Sequence, residues 1–259
     1  MKTRLSNITR ASLLGAIAIV PLLSQQLAAQ APNSTEAMGQ KFTEPKPAKA
    51  LRVLLVGSGS SHDFPKHFLG TDEVTLKAAG MDVAATPNLE EALALLPQAD
   101  VLVFSGNHDQ YGNDEFQKAL NDFADKRKGL VFLHAATWDH PAWKGYNERF
   151  INGKTPGHSA FGDVTVTVKD AKSPLVKGVP ATFTFKEENY HSEFQSNAKA
   201  DVVAENNPDE AKIAHPSVWT VKDRKTRIVC ITLGHDDAAH SSAPYKTILT
   251  NSVNWVAGR

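Results

Sequence analysis

The sequence predicts an α/β fold: a mostly parallel sheet flanked by helices, with an antiparallel or mixed β insertion in its second half. Three observations carry this. First, short apolar runs alternate with helix-length segments through residues 51–143, the pattern of a doubly wound parallel sheet. Second, RVLLV, VLVF, GLVFL and RIVCITL are nearly continuous apolar runs, as strands covered on both faces must be. Third, DVTVTVKD and ATFTFKE alternate with period two, which marks strands with one wet face.

Residues 1–31 stand apart from this pattern. Lys2, Arg4 and Arg10 precede the apolar run ASLLGAIAIVPLL, and LAAQA offers small residues for cleavage near Ala29 or Ala31. That is a signal-peptide pattern, with a run too short to span a membrane. It predicts a secreted, periplasmic protein with no membrane association after cleavage. Residues 32–49 are rich in Pro, Ala, Thr and Lys and read as a flexible lead-in. The folded domain is expected over residues 50–259.

Within that domain the first strand, 51–56, ends in GSGSSHDF with His62 and Asp63. A helix over 66–79 is closed by Gly80. MDVAATPN is a short strand, and LEEALALLPQ a helix whose acidic pair suits the first-turn dipole. A third strand ends at Asn107, His108 and Asp109. Asn113 or Asp114 caps a helix on which Phe116, Leu120 and Phe123 recur at helical spacing. After Gly129, GLVFL runs straight into His134.

Residues 147–152 read as a short helix and 153–162 as a loop with Gly157 and His158. Two alternating strands follow, the second ending in Glu187, Glu188, Asn189, Tyr190 and His191. ADVVAENN, PSVWTVKD and RIVCITLGHDD are further strands, the last ending at His235 and Asp236. APYKTILTNSVNWV closes the chain as a helix.

Composition removes some function classes. The 28 basic and 28 acidic residues balance, so there is no electrostatic case for nucleic acid. The single cysteine, Cys230, can form no intramolecular disulfide and reads as a small buried hydrophobe. GSGSSH replaces the third glycine of a dinucleotide loop with His62, which argues against a nucleotide cofactor and an oxidoreductase. No serine-hydrolase elbow and no HExxH or CxxC pair is present.

What remains is a set of histidines at strand ends: His62, His108, His134 and His235. In open α/β sheets, ligands bind off the carboxyl ends of the strands. Histidines there serve as general acids and bases, or as neutral metal ligands.

These residues are similar to those of the trehalose-utilisation (ThuA-like) family. The resemblance rests on VFLHAA with its aromatic loop, INGKTPGH, EENYH and RIVCITLGHD followed by NWVAGR. It covers about residues 51–259. It implies a class I glutamine-amidotransferase-like, flavodoxin-like fold. True amidotransferases hold a cysteine where this chain holds His134, so the resemblance argues against glutaminase activity. The chain departs from the family pattern at His134-Ala135-Ala136, often His-Gly-Gly, and at Glu187-Glu188-Asn189-Tyr190, often Asp-Glu-Leu-Tyr.

The family is associated with sugar catabolism, including disaccharides oxidised to 3-keto forms. A 3-keto group acidifies the neighbouring C–H, so a base removes that proton while an acid assists the leaving group. His134 and Glu188 are the expected catalytic pair. His62, Asp63, His108, Trp138, His158, Tyr190, His191 and Asp236 are the expected substrate contacts. If a divalent metal such as zinc polarises the keto oxygen, His62, His134 and His235 take the ligand role instead. The competing expectation is a non-catalytic sugar-binding or accessory protein, with Trp138, Trp143, Trp219 and Tyr190 as platforms. The expected partner is a small-molecule carbohydrate, and a homo-oligomer stays open. His67, His215 and His240 are expected on the surface, and His140 in a turn before Pro141.

Overall fold

The computed structural model describes residues 41–107, 111–209 and 212–259. Its strands are β1 Arg52–Val56, β2 Asp82–Thr86, β3 Val101–Phe104, β4 Gly129–Leu133, β5 Gly153–Lys154, β6 Gly162–Val168, β7 Thr182–Glu187, β8 Glu193–Phe194, β9 Ala200–Asn206, β10 Pro216–Lys222 and β11 Arg227–Ile231. Nine of them form one sheet in the order β2-β1-β3-β4-β11-β10-β9-β6-β7, while β5 and β8 pair separately. The first five in that order are parallel, and every later neighbour is antiparallel. By this alternation β7 points the same way as β4 and β11. The carboxyl ends of β1, β4, β11 and β7 therefore share one edge of the sheet.

Continuous apolar strands are explained by two cores. Val53, Leu55, Val131 and Leu133 face one side, packed with Phe68, Leu76, Tyr245, Ile248, Leu249 and Val253. Leu54, Leu102, Phe104, Leu130 and Phe132 face the other, packed with Ala92, Leu95, Phe116, Leu120 and Phe123. Helix α1 (Asp72–Ala78) and the C-terminal helix Ala243–Val256 thus cover one face. Helices α2 (Leu89–Leu95) and α3 (Asp114–Asp125) cover the other. Asn88 and Asn113 cap these two, accepting from the amides of Glu91 and Phe116.

The β6–β7 hairpin is staggered against the rest of the sheet. Val166 pairs with Asn206 at the end of β9, while Gly162 pairs with Glu187. The open end of the hairpin, opposite its turn, therefore projects four residues past the last β9 pairing (Gly162 to Val166), roughly 13 Å at strand rise. This overhang carries Glu187 and Glu188 above the carboxyl edge.

Three expectations are corrected. The lead-in is not free as far as residue 49: Phe42 is buried, and Thr43 bonds through its backbone to Asp82 and Arg52. The loop expected over 153–162 begins with β5, which pairs with β8 at Gly153↔Phe194. His67, His215 and His240 are buried rather than superficial. Each is accommodated by a partner: His240 by Asp72 and the Gly234 carbonyl, His215 by Asp209, and His67 by stacking on His240. Residues 1–31 and His108 lie outside the described residues. Among the described residues, no helix is long and apolar enough to cross a membrane.

Two stability predictions follow from the packing. A Cβ on Gly129 would sit 2.8 Å from the backbone carbonyl carbon of Val256. Gly129→Ala should therefore cost about 1–3 kcal/mol, read as a lower urea midpoint with unchanged slope. Asp100 is partly desolvated, which works to raise its pKa. Bonds from Lys46, the Arg52 amide and Lys128 override this and hold the carboxyl down at about 2. A depressed folded value adds stability above the ordinary carboxylate pKa and loses it as pH falls through the folded value. Asp100→Asn should cost about 1 kcal/mol at pH 7, discounted for solvent access. The gap to wild type should narrow below about pH 4 and close near pH 2 in denaturant melts.

Candidate functional site

At the end of β4 the chain turns abruptly. His134 has φ +42°, a conformation in which a non-glycine residue is strained. A 3₁₀ turn, His134–Thr137, follows at once. This sharp strand–turn–helix places the imidazole on the carboxyl edge but wholly buried. Its Nδ1 lies 2.5 Å from the Thr232 carbonyl beyond β11. A carbonyl only accepts, so Nδ1 carries the proton and Nε2 faces the neighbouring histidines.

His62 arrives from the loop after β1. Its Nε2 lies 2.9 Å from His134 Nε2 and 3.2 Å from His235 Nδ1. Behind it, Nδ1 is 2.7 Å from Ser61 Oγ, which donates to Asn107 Oδ1 at 3.1 Å. Burial, reinforced by the charges of His134 and His235, pushes the His62 imidazolium down to about 3. His62 is therefore neutral at neutral pH.

His235 comes from the turn after β11, which Gly234 makes possible with φ +121°. The peptide there is gripped from both sides. Glu187 Oε2 accepts from the Gly234 amide at 2.7 Å and from His235 N at 3.2 Å. On the other side, the Gly234 carbonyl lies 3.0 Å from His240 Nε2, and Asp72 Oδ1 lies 2.7 Å from His240 Nδ1. Burial works to lower His240, but Asp72 and that carbonyl carry it above the ordinary imidazole value.

Glu188, from the overhanging hairpin, completes the group. One oxygen, Oε2, lies 3.2 Å from His235 Nδ1 and 3.6 Å from His134 Nε2; the other, Oε1, is 3.5 Å from His158 Nδ1. Burial works to raise its pKa, but the surrounding His134, His235 and His158 imidazoles hold the carboxyl at about 2. The ligand atoms of His62, His134, Glu188 and His235 all lie within 4.8 Å of one another.

Two of these residues, His62 and Glu188, line a cleft of about 270 Å³ together with Ser61, Asn107, Trp138, His158 and Tyr190, among others. Tyr190 packs against His134 at 4.5 Å with its ring tilted by 32°, and Trp138 stands perpendicular to Tyr190 at 5.5 Å. An isolated bridge between His158 and Tyr190 fastens the two loops.

The structure thus brings together His62, His134, Trp138, His158, Glu188, Tyr190 and His235. It places three other sequence candidates elsewhere. Asp63 and Asp236 turn to local backbone, accepting from Lys66 N and Ala238 N. His191 stacks on His215 at 4.9 Å and joins a second group with Asp209. His134 is fully buried and does not line the cleft, so a sugar there would meet it only through Glu188 or His62. Cys230 is buried within β11, and burial pushes its thiol far up.

Sequence reasoning missed Glu187, Thr232, Ser61 and Phe161, whose ring lies 4.8 Å from His235. A signal for Glu187 existed. It shares the parity of Phe183 and Phe185, which face inward, and an inward carboxyl must find donors.

A family model described as ThuA, trehalose utilisation, matches residues 38–256. A ThuA-like protein of Parabacteroides merdae is 18% identical with TM-score 0.69, over 81% of this chain and 90% of that one. Another from Bacteroides uniformis is 18% identical with TM-score 0.66, over 83% and 95%. PurLQS from Thermotoga maritima is 10% identical with TM-score 0.51, over 80% and 99%. These likenesses show the fold, which is ThuA-like and of the class I glutamine-amidotransferase type. No curated protein sequence matches the chain. The family match spans nearly all of the described fold and every residue of the cluster, and the chain belongs to the ThuA family, which is involved in trehalose utilisation.

Proposed function

We propose that the chain is an exported enzyme of carbohydrate catabolism acting on a keto-sugar glycoside by proton transfer. One observation carries this: an aromatic corner and a dense proton-handling cluster share one cleft. Trp138, set at 90° against the buried Tyr190, offers the apolar surface on which a sugar ring packs. Glu188 and His158 stand beside that corner, 3.5 Å apart.

In a keto sugar the carbonyl acidifies the adjacent C–H. Glu188 takes that proton, and His158 delivers one to the departing glycosidic oxygen, so proton and bond changes balance as an elimination. Neutral His62 faces the cleft and orients the sugar oxygens. His134 positions Glu188 from below and does not touch substrate. The export reading rests on the charged-then-apolar leader of the sequence.

The test is turnover of 3-keto disaccharides by the purified mature chain, followed by mass spectrometry with and without added Zn²⁺ or Mn²⁺. Product should form, and Glu188→Gln or His158→Ala should slow it by at least about 100-fold. No product from wild type under any of these conditions overturns the reading. Sugar binding that survives both substitutions without turnover would return the accessory-protein reading. Trp138→Ala should act differently from Glu188→Gln, raising KM more than it lowers kcat, because it removes packing surface and no proton donor.

A further inference from the structure

We propose that His62 Nε2, His134 Nε2, His235 Nδ1 and Glu188 Oε2 together bind one divalent transition-metal ion of the zinc type. The existence of the site rests on the four donors alone; only the role of the ion rests on the keto-sugar reading above.

The donor spacing is the first argument. Zinc bound at about 2.0–2.2 Å with tetrahedral geometry separates its donors by roughly 3.3–3.6 Å. Four edges of this cluster measure 2.9 Å (His62–His134), 3.2 Å (His62–His235), 3.2 Å (His235–Glu188) and 3.6 Å (His134–Glu188). The residues come from β1, β4, β7 and β11 ends far apart in sequence, yet their heteroatoms rather than their carbons meet.

The second argument is the direction of the lone pairs. His134 donates Nδ1–H to the Thr232 carbonyl, which leaves its Nε2 bare. Ser61 gives its hydroxyl proton to Asn107 and so accepts from His62 Nδ1, which leaves His62 Nε2 bare as well. Two bare imidazole lone pairs 2.9 Å apart repel unless a cation lies against both. Ring nitrogens fixed from behind by a carbonyl and a hydroxyl are the arrangement that orients histidines as metal ligands.

The donor chemistry is the third. Three imidazoles and one carboxylate suit first-row divalent ions such as zinc. Glu188 uses Oε2 toward this centre and keeps Oε1 toward His158. Bound there, the ion faces the cleft that His62 and Glu188 line and would polarise a sugar carbonyl as a Lewis acid. The Oε1–His158 pair would still carry the proton.

The experiment is calorimetric titration of the EDTA-stripped mature chain with Zn²⁺, with Co²⁺ absorption as a second readout of geometry and no sugar present. One equivalent should bind per chain. His235→Ala, on a half-buried turn, and Glu188→Gln should each weaken binding by at least about 100-fold, and Ser61→Ala by about 10-fold through loss of ring orientation. Circular dichroism confirms that each variant is folded. A wild-type chain that binds no Zn²⁺ overturns the proposal. So does binding that is untouched in His235→Ala but lost in His215→Ala, which would move it to the group of His191, Asp209 and His215. Zn²⁺ binding without keto-sugar turnover supports this site and sinks the substrate reading. Turnover by a chain that binds no Zn²⁺ does the reverse.

Discussion

The carboxyl group of Glu187 accepts from the amides of Gly234, His235 and Glu188, and the site depends on that contact. Glu187 ends β7, at the far edge of the nine-stranded sheet, while Gly234 follows β11 near its middle. Four strand spacings separate them in sheet order, about 19 Å at ordinary spacing. In the folded chain that distance is closed. Once closed, the same bonds fix His235 on one side and carry Glu188 onto the cluster on the other. A buried carboxyl is costly unless its acceptors are filled, so the contact is specific as well as strong.

A second buried polar set holds the same peptide from beneath. Asp72, His240 and Tyr245 form a closed network, with Tyr245 donating to Asp72 Oδ2 at 3.0 Å. Burial raises the Asp72 carboxyl, against the pull of His240. The network links α1, the turn after β11 and the C-terminal helix. It gives the carboxyl edge a rigid floor, which a site of converging imidazoles requires. Strain at His134 is tolerated for the same reason: the Thr232 carbonyl, Tyr190 and His62 surround it and over-determine its position.

The chain shares its fold with class I glutamine-amidotransferase-like proteins, and what its own β4 turn carries is a separate matter. A cysteine nucleophile needs an activated, accessible thiol. Here the turn holds an enclosed imidazole, and the only thiol is buried in β11. Family membership carries involvement in trehalose utilisation and no specific chemistry.

The sequence by itself determined the elements and the edge. Apolar runs such as GLVFL must be covered on both faces, and the period-two runs must have one wet face, so a parallel half and an antiparallel half were legible. Histidines placed at strand ends were legible as a candidate cluster for the same reason, because every parallel strand delivers its carboxyl end to one edge. What lay beyond the sequence depended on pairing across distance. Asp63 and Asp236 look like site carboxylates, yet each caps its own local turn. Glu187 looks like a solvated strand end, yet it is the bridge. His67, His215 and His240 look superficial, yet each is buried against a partner: His240 on Asp72, 168 residues away, His67 on the His240 ring, and His215 on Asp209. Local pattern reports which face a side chain takes; only the tertiary structure decided what it meets there, because burial of a polar group depends on a partner that another strand or helix must supply.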